Sequence, residues 1–176
     1  MKKICFLLVL LGCPFLVSAL ELASNAKSGI IMEPTTNKVI FEKNSHERLE
    51  PASMTKMMTL LLTFEALDNG KISLDDMVHI SKVAAAMGGS QMFLEENSNI
   101  RLEEIIKGVS IASANDGSVA LAEYIGGSVE NFVNMMNEKA KSFEMNDTNF
   151  KNCHGIDEDD HYTSSYDIAL LSRALL

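Results

Sequence analysis

Three features of the sequence predict an α+β fold built as a single domain. Two short extended runs, residues 28–32 and 38–43, flank the turn cluster Pro34-Thr35-Thr36-Asn37 and read as a β-hairpin. After Pro51 most of the chain consists of segments whose apolar residues recur at helical spacing. The breaks between segments are short clusters of Gly, Asn, Asp and Ser, and no repeat, low-complexity tract or linker divides the chain. A length of 176 residues suits one domain around one core.

The elements follow in order. Behind Pro51, Met57, Leu60, Leu61, Phe64 and Leu67 mark the inward face of a helix that Asn69-Gly70 stops. Residues 74–80 read as a short strand or loop with His79 facing solvent, and Ser81 caps a short helix through Ala86 before Gly88-Gly89-Ser90 breaks the chain. Residues 102–112 form a helix with Leu102, Ile105, Ile106 and Val109 on one face, and residues 113–117 have loop composition. A helix over 119–125 is stopped by Gly126-Gly127, and Ser128 caps the next, which turns Phe132, Val133, Met136 and Ala140 inward. Residues 150–162 are irregular and acidic. Thr163 or Ser164 caps a last helix carrying Ile168, Leu171 and Leu175.

Composition bounds the function. Hydrophobic residues make up 47% of the chain and the formal net charge is −9, which excludes a disordered chain and disfavours nucleic acid as a partner. Met1-Lys2-Lys3, the apolar run from Ile4 to Leu11 and Val17-Ser18-Ala19 read as a secretory signal over residues 1–19, leaving 20–176 as the exported domain. Leu10-Leu11-Gly12-Cys13 offers a rival lipoprotein reading, against which Pro14 argues. Cleavage after Ala19 removes Cys5 and Cys13, so Cys153 stands alone without an internal disulfide and reads as a half-buried structural cysteine. The four histidines show no metal-ligand spacing, and no metal or cofactor is expected.

The chemistry centres on Pro51-Ala52-Ser53-Met54-Thr55-Lys56. Ser53 falls at the first turn of a helix, with Lys56 one turn on along the same face. A hydroxyl beside an amine is a nucleophile beside a base, and the helix N-terminus suits a developing oxyanion. S-x-x-K alone is weak, because Ser24-Asn25-Ala26-Lys27 matches it too, and a serine there can be a plain helix N-cap. Context separates the two copies: the Ser24 copy has no helical pattern behind it and lies close to the secretory signal, whereas Ser53 opens a helical pattern and the chain's S-x-N, Ser113-Ala114-Asn115, follows it at a plausible distance.

With these motifs stand Gly88-Gly89-Ser90-Gln91-Met92-Phe93-Leu94, Met136-Asn137, His154-Gly155-Ile156-Asp157 and Tyr166-Asp167. Taken in order, from about Gly29 to the last residue, they resemble the serine-type D-alanyl-D-alanine carboxypeptidases, the low-molecular-weight penicillin-binding proteins. The resemblance implies the N-terminal portion of the β-lactamase/DD-peptidase-like fold. It also implies Ser53 as nucleophile, Lys56 as base, Ser113 as proton relay and Asn115 as a ligand of the substrate backbone or of Lys56. The partners implied are the peptidoglycan pentapeptide and β-lactams, outside the bacterial cytoplasmic membrane or in the periplasm, with membrane-surface association through a further C-terminal segment. Where that family has Gly, this chain has Glu144 at a left-handed C-cap, at a cost of about 1 kcal/mol. A class A β-lactamase needs an E-x-x-L-N segment after S-x-N, and none occurs. Nothing after Asn115 matches K-[ST]-G, so a non-catalytic remnant is the alternative. Without that segment, Lys56 is expected to stay exposed and protonated, and the chain as given to fold poorly and not to turn over substrate.

Overall fold

The computed structural model describes residues 22–176. The signal expected over 1–19, with Cys5 and Cys13, lies outside the described residues. The hairpin forms where turn chemistry puts it: β1 (Gly29–Met32) runs antiparallel to β2 (Val39–Lys43), with Ile30 opposite Glu42 and Ile31 opposite Phe41. Its turn is tied by the Glu33 carboxylate, which accepts the Thr35 and Thr36 N–H groups and the Thr36 hydroxyl. These bonds hold the Glu33 carboxyl down at about 2.

A single 3-10 turn, Ala52–Thr55, leads into α1 (Lys56–Asp68). Then come β3 (Met77–His79), α2 (Lys82–Ala85), β4 (Asn99–Arg101), α3 (Leu102–Ala112), α4 (Asn115–Gly126), α5 (Val129–Ser142) and α6 (Ser165–Ala174). β3 and β4 pair antiparallel, Val78 opposite Ile100, so a second two-stranded ribbon accompanies the hairpin. Three-residue strands are too short to show alternation, and β4 was not foreseen. Ser81, Ser128 and Ser164 accept the N–H of Ala84, Asn131 and Asp167 at 3.0–3.1 Å, capping α2, α5 and α6 at about 1 kcal/mol each. Glu144 takes the left-handed conformation, φ 58°.

α4 is the central helix. Residues 115–122 are buried without interruption, and α1, α2, α3 and α5 pack around them. The core joins Met58, Leu61 and Leu62 of α1 to Val78 and Ile80, Ile105 and Val109 of α3, Val119 and Leu121 of α4, Phe132 and Met136 of α5, Phe150 and Leu171. Each such side chain contributes roughly 1.5–3 kcal/mol by leaving water. α6 packs on β1 and closes the hairpin side. Among the described residues, no helix is long and apolar enough to cross a membrane.

Three expectations are corrected. Residues 115–117 are not loop: α4 starts at Asn115, and only Ser113 and Ala114 separate it from α3. The inward face of α1 is rotated, with Phe64 39% exposed, Met57, Leu60 and Leu67 half-buried, and the polar Thr55, Lys56, Thr59 and Thr63 buried. A later segment satisfies Thr55, Lys56 and Thr59, while the Thr63 hydroxyl donates to the Thr59 carbonyl within the helix. Cys153 is fully rather than half buried.

Candidate active site

Ser53 lies exposed on the 3-10 turn, at the mouth of α1. Lys56, the first residue of α1, lies beneath it with 3% of its surface exposed. Its Nζ donates to the Ser53 Oγ at 3.2 Å and to the His154 carbonyl at 2.5 Å. Burial lowers the Lys56 pKa from the ordinary 10.5, against a smaller opposing effect of the Cys153 sulfur. The expectation of an exposed Lys56 is therefore wrong. Its cover comes from residues 150–161, the stretch whose sequence pattern is irregular and acidic and which carries the His154-Gly155-Ile156-Asp157 motif.

That cover is laced to one face of α1 and the turn before it. The Thr59 hydroxyl donates to the Cys153 carbonyl at 2.7 Å, Lys56 holds the His154 carbonyl, and Thr55 Oγ1 lies 2.9 Å from His161 Nε2. Asn152 shapes the turn: its Oδ1 accepts the His154 and Gly155 N–H groups, and its Nδ2 donates to the Ile156 carbonyl. Gly155 adopts φ +89°, which only glycine takes without strain. Burial, helped by the Lys56 charge, pushes His154 down to about 4, and burial pushes the Cys153 thiol up to about 12. Buried and so raised, the thiol stays protonated and is a poor nucleophile.

The S-x-N motif sits where α3 meets α4. Ser113 caps α3 in the left-handed conformation, φ 56°, half-buried. Asn115 opens α4; its N–H donates to the Ser90 carbonyl at 2.7 Å and its Nδ2 to the Gly88 carbonyl at 2.8 Å. With the amide's donor end so engaged, Oδ1 accepts no hydrogen bond among the described residues. Among the described residues, no hydrogen bond joins Asn115 or Ser113 to Ser53 or Lys56. The structure thus brings together Ser53 and Lys56 but does not bond the other two to them.

Sequence reasoning missed Asp116. Its carboxylate is 1% exposed and accepts the N–H of Met92 (3.1 Å), Leu94 (3.0 Å) and Gly117 (2.8 Å). It therefore pins residues 88–94 onto the first turn of α4, leaving Phe93 between its two ligated neighbours at φ 60° and 81% exposed. Asp directly after an S-x-N, followed by an apolar helical run, is the signal that could have found it. The second S-x-x-K builds no site: Ser24 and Lys27 are both exposed in a turn, and the Ser24 carbonyl accepts Lys43 Nζ. Among the described residues, no group of three or more His, Cys, Asp or Glu side chains is placed to hold a metal ion.

Comparison with known proteins gives one consistent result. Residues 16–176 match the peptidase S11 family, D-alanyl-D-alanine carboxypeptidase. Over 156 residues the chain is 54% identical to the D-alanyl-D-alanine carboxypeptidase DacF of Bacillus subtilis (strain 168), covering 89% of this chain and 40% of that protein. It is 39% identical to DacC of Escherichia coli (strain K12), covering 86% of this chain and 40% of that relative. The crystal structure of the D-alanyl-D-alanine carboxypeptidase DacD from Francisella tularensis superposes with a TM-score of 0.83 at 37% identity, over 85% of this chain and 36% of that one. Penicillin binding protein 6B from Escherichia coli superposes with a TM-score of 0.81 at 38% identity, over 84% and 49%. The chain thus spans about 40% of the length of the curated relatives it matches.

Proposed function

The chain belongs to the D-alanyl-D-alanine carboxypeptidase family, peptidase S11, and from that membership we propose that it carries the acylating half of a serine hydrolase acting on the terminal D-Ala-D-Ala bond of peptidoglycan stem peptides. The observation that supports this reading is the exposed Ser53 hydroxyl 3.2 Å from a buried Lys56 amine whose pKa burial lowers. In its neutral form Lys56 takes the Ser53 proton as Oγ attacks the carbonyl carbon of the penultimate D-Ala. The tetrahedral oxyanion forms at the mouth of α1, where the Ser53 N–H and the helix dipole favour negative charge. The C–N bond then breaks, Ser113 relays the proton to the departing amine, D-alanine leaves, and an ester on Ser53 remains. Water hydrolyses that ester. Asn115 Oδ1 is free to accept from the substrate backbone.

A β-lactam would acylate Ser53 by the same steps, with the strained amide opened in place of the peptide bond. The setting is cell-wall biogenesis, with cell shape dependent on it. The signal over residues 1–19 delivers residues 20–176 to the periplasm or the outer face of the cytoplasmic membrane. An intact mass beginning after Ala19 supports that address, and one retaining Met1 or a lipid-modified Cys13 overturns it.

The test of function uses the natural protein as its cell makes it. Fluorescent penicillin labels it at Ser53, Ser53→Ala abolishes the label, and Ser24→Ala leaves it intact. D-Alanine is released from a pentapeptide by the wild type and by Ser24→Ala, and not by Ser53→Ala. Labelling that survives Ser53→Ala sinks the assignment.

A further inference from the structure

The three bonds that lace residues 150–161 to the Ser53–Lys56 turn and α1 differ in kind. Thr59 and Lys56 donate to carbonyls, which accept whatever the pH. The third runs through the ring of His161, which is 2% exposed and bonded at both nitrogens. The backbone N–H of Lys151 points at Nδ1 from 2.9 Å, and a peptide N–H can only donate. Nδ1 therefore carries no proton, Nε2 carries one, and Nε2 donates to Thr55 Oγ1. Thr55 is the residue before Lys56.

We propose that His161, held as the neutral Nε2–H tautomer between Lys151 and Thr55, is a positioning residue for Lys56: it fastens the cover whose burial makes that amine a base. It acts through Thr55 on one side and through the backbone of the cover on the other, and it touches no reacting atom. The proposal rests on the reading of Lys56 as the general base. A second proton on the ring would set Nδ1–H against the Lys151 N–H and break the bond to the cover. The charged groups around His161 are Asp157 and Glu158, which favour its protonation, the adjacent Asp159 and Asp160, and Arg48 and Glu50 across a shallow cleft; neutral His154 lies in the same electrostatic environment. Burial outweighs the two acids and keeps the ring neutral below the usual histidine range.

Three variants of the natural protein separate the two bonds. His161→Asn keeps an acceptor near Nδ1, His161→Gln keeps a donor near Nε2, and His161→Phe keeps neither while filling the space. The readouts are the Lys56 pKa from its Cε carbon resonance and the exchange protection of the Lys151 amide. In His161→Phe, the Lys56 pKa rises toward that of an exposed lysine, and Asn and Gln fall between it and wild type. Lys151 protection drops roughly tenfold in Gln and Phe and is kept in Asn. In the wild type, nitrogen resonances report Nε2–H, and Lys151 protection falls as acid protonates the ring. An unchanged Lys56 pKa in the folded Asn and Gln variants, or an Nδ1–H tautomer, overturns the proposal, whether or not His161→Phe folds. None of these readouts requires acylation, so a failure of penicillin labelling strikes the functional reading alone.

Discussion

Gly155 sits directly against the peptide carbonyl of Ala52, the residue before Ser53. A methyl group built on Gly155 would overlap that carbonyl and come within 3.0 Å of Thr55 Oγ1. Ala52 is itself left-handed, φ 46°, so a strained residue meets a glycine at this contact. Gly155→Ala is expected to cost about 2–4 kcal/mol, from backbone strain at φ +89° together with the clash. It should also shift Ser53 away from Lys56. Urea unfolding reads the first effect and the rate of penicillin labelling the second; a neutral result in both would show that the contact is slack.

Asp116 gives a prediction of loop order. Asp116→Ala leaves the Met92, Leu94 and Gly117 N–H groups without their acceptor, at an expected cost of about 2–5 kcal/mol. Asp116→Asn keeps one oxygen and should cost less. Hydrogen exchange should quicken first at Met92 and Leu94, with α3 and α5 protected as before. Uniform loss of protection would mean that Asp116 supports the whole fold and not the 88–94 segment.

For Ser113 the hydroxyl and the backbone can be tested apart. Ser113→Ala removes the hydroxyl proposed as the relay and retains the left-handed strain, whereas Ser113→Gly removes both. Both variants should slow turnover by roughly a hundred- to ten-thousand-fold. Only the glycine variant should gain stability, by up to about 1 kcal/mol. Activity that follows stability rather than the hydroxyl would remove Ser113 from the mechanism.

Acid should weaken the fold through its histidines. His154 and His161 are held below the ordinary histidine value near 6.5, His154 at about 4, so the unfolded chain binds protons that the fold refuses. Their contribution is complete above about pH 6.5 and is lost as pH falls through the fold's own values. Asp167 has the opposite sign, because burial raises its pKa and its contribution survives in acid but is lost as pH rises past that value. The urea midpoint should therefore decline between about pH 6.5 and pH 4. Replacing His154 by Gln should flatten the decline; an unchanged slope would trace it to other groups.

What the sequence made legible was local. The span of α3, the serine caps of α2, α5 and α6, and the hairpin turn all follow from contacts within a few residues. Ser53 and Lys56 were legible for the same reason, one helical turn apart. The start of α4 was not, because Asn115-Asp116-Gly117 has turn preferences of its own. Helix wins there because Asp116 is a buried acceptor of N–H groups from residues 92 and 94 as well as from its own helix. The facing of α1 failed for a related reason. Thr55, Lys56 and Thr59 look like a solvent face until partners from residues 153–161 arrive, and no pattern within α1 announces them.

The sequence separation of 98 from Lys56 to the residue whose carbonyl receives its amine also sets an order in time. A ribosome adding roughly 5 to 20 residues per second makes that stretch in about 5 to 20 s. Through that interval the nascent chain already carries Ser53, the proposed nucleophile, beside a Lys56 that has not yet met its cover. On the proposed reading, reactivity at Ser53 waits for the late arrival of Cys153 and His154, whose carbonyls complete the setting of α1.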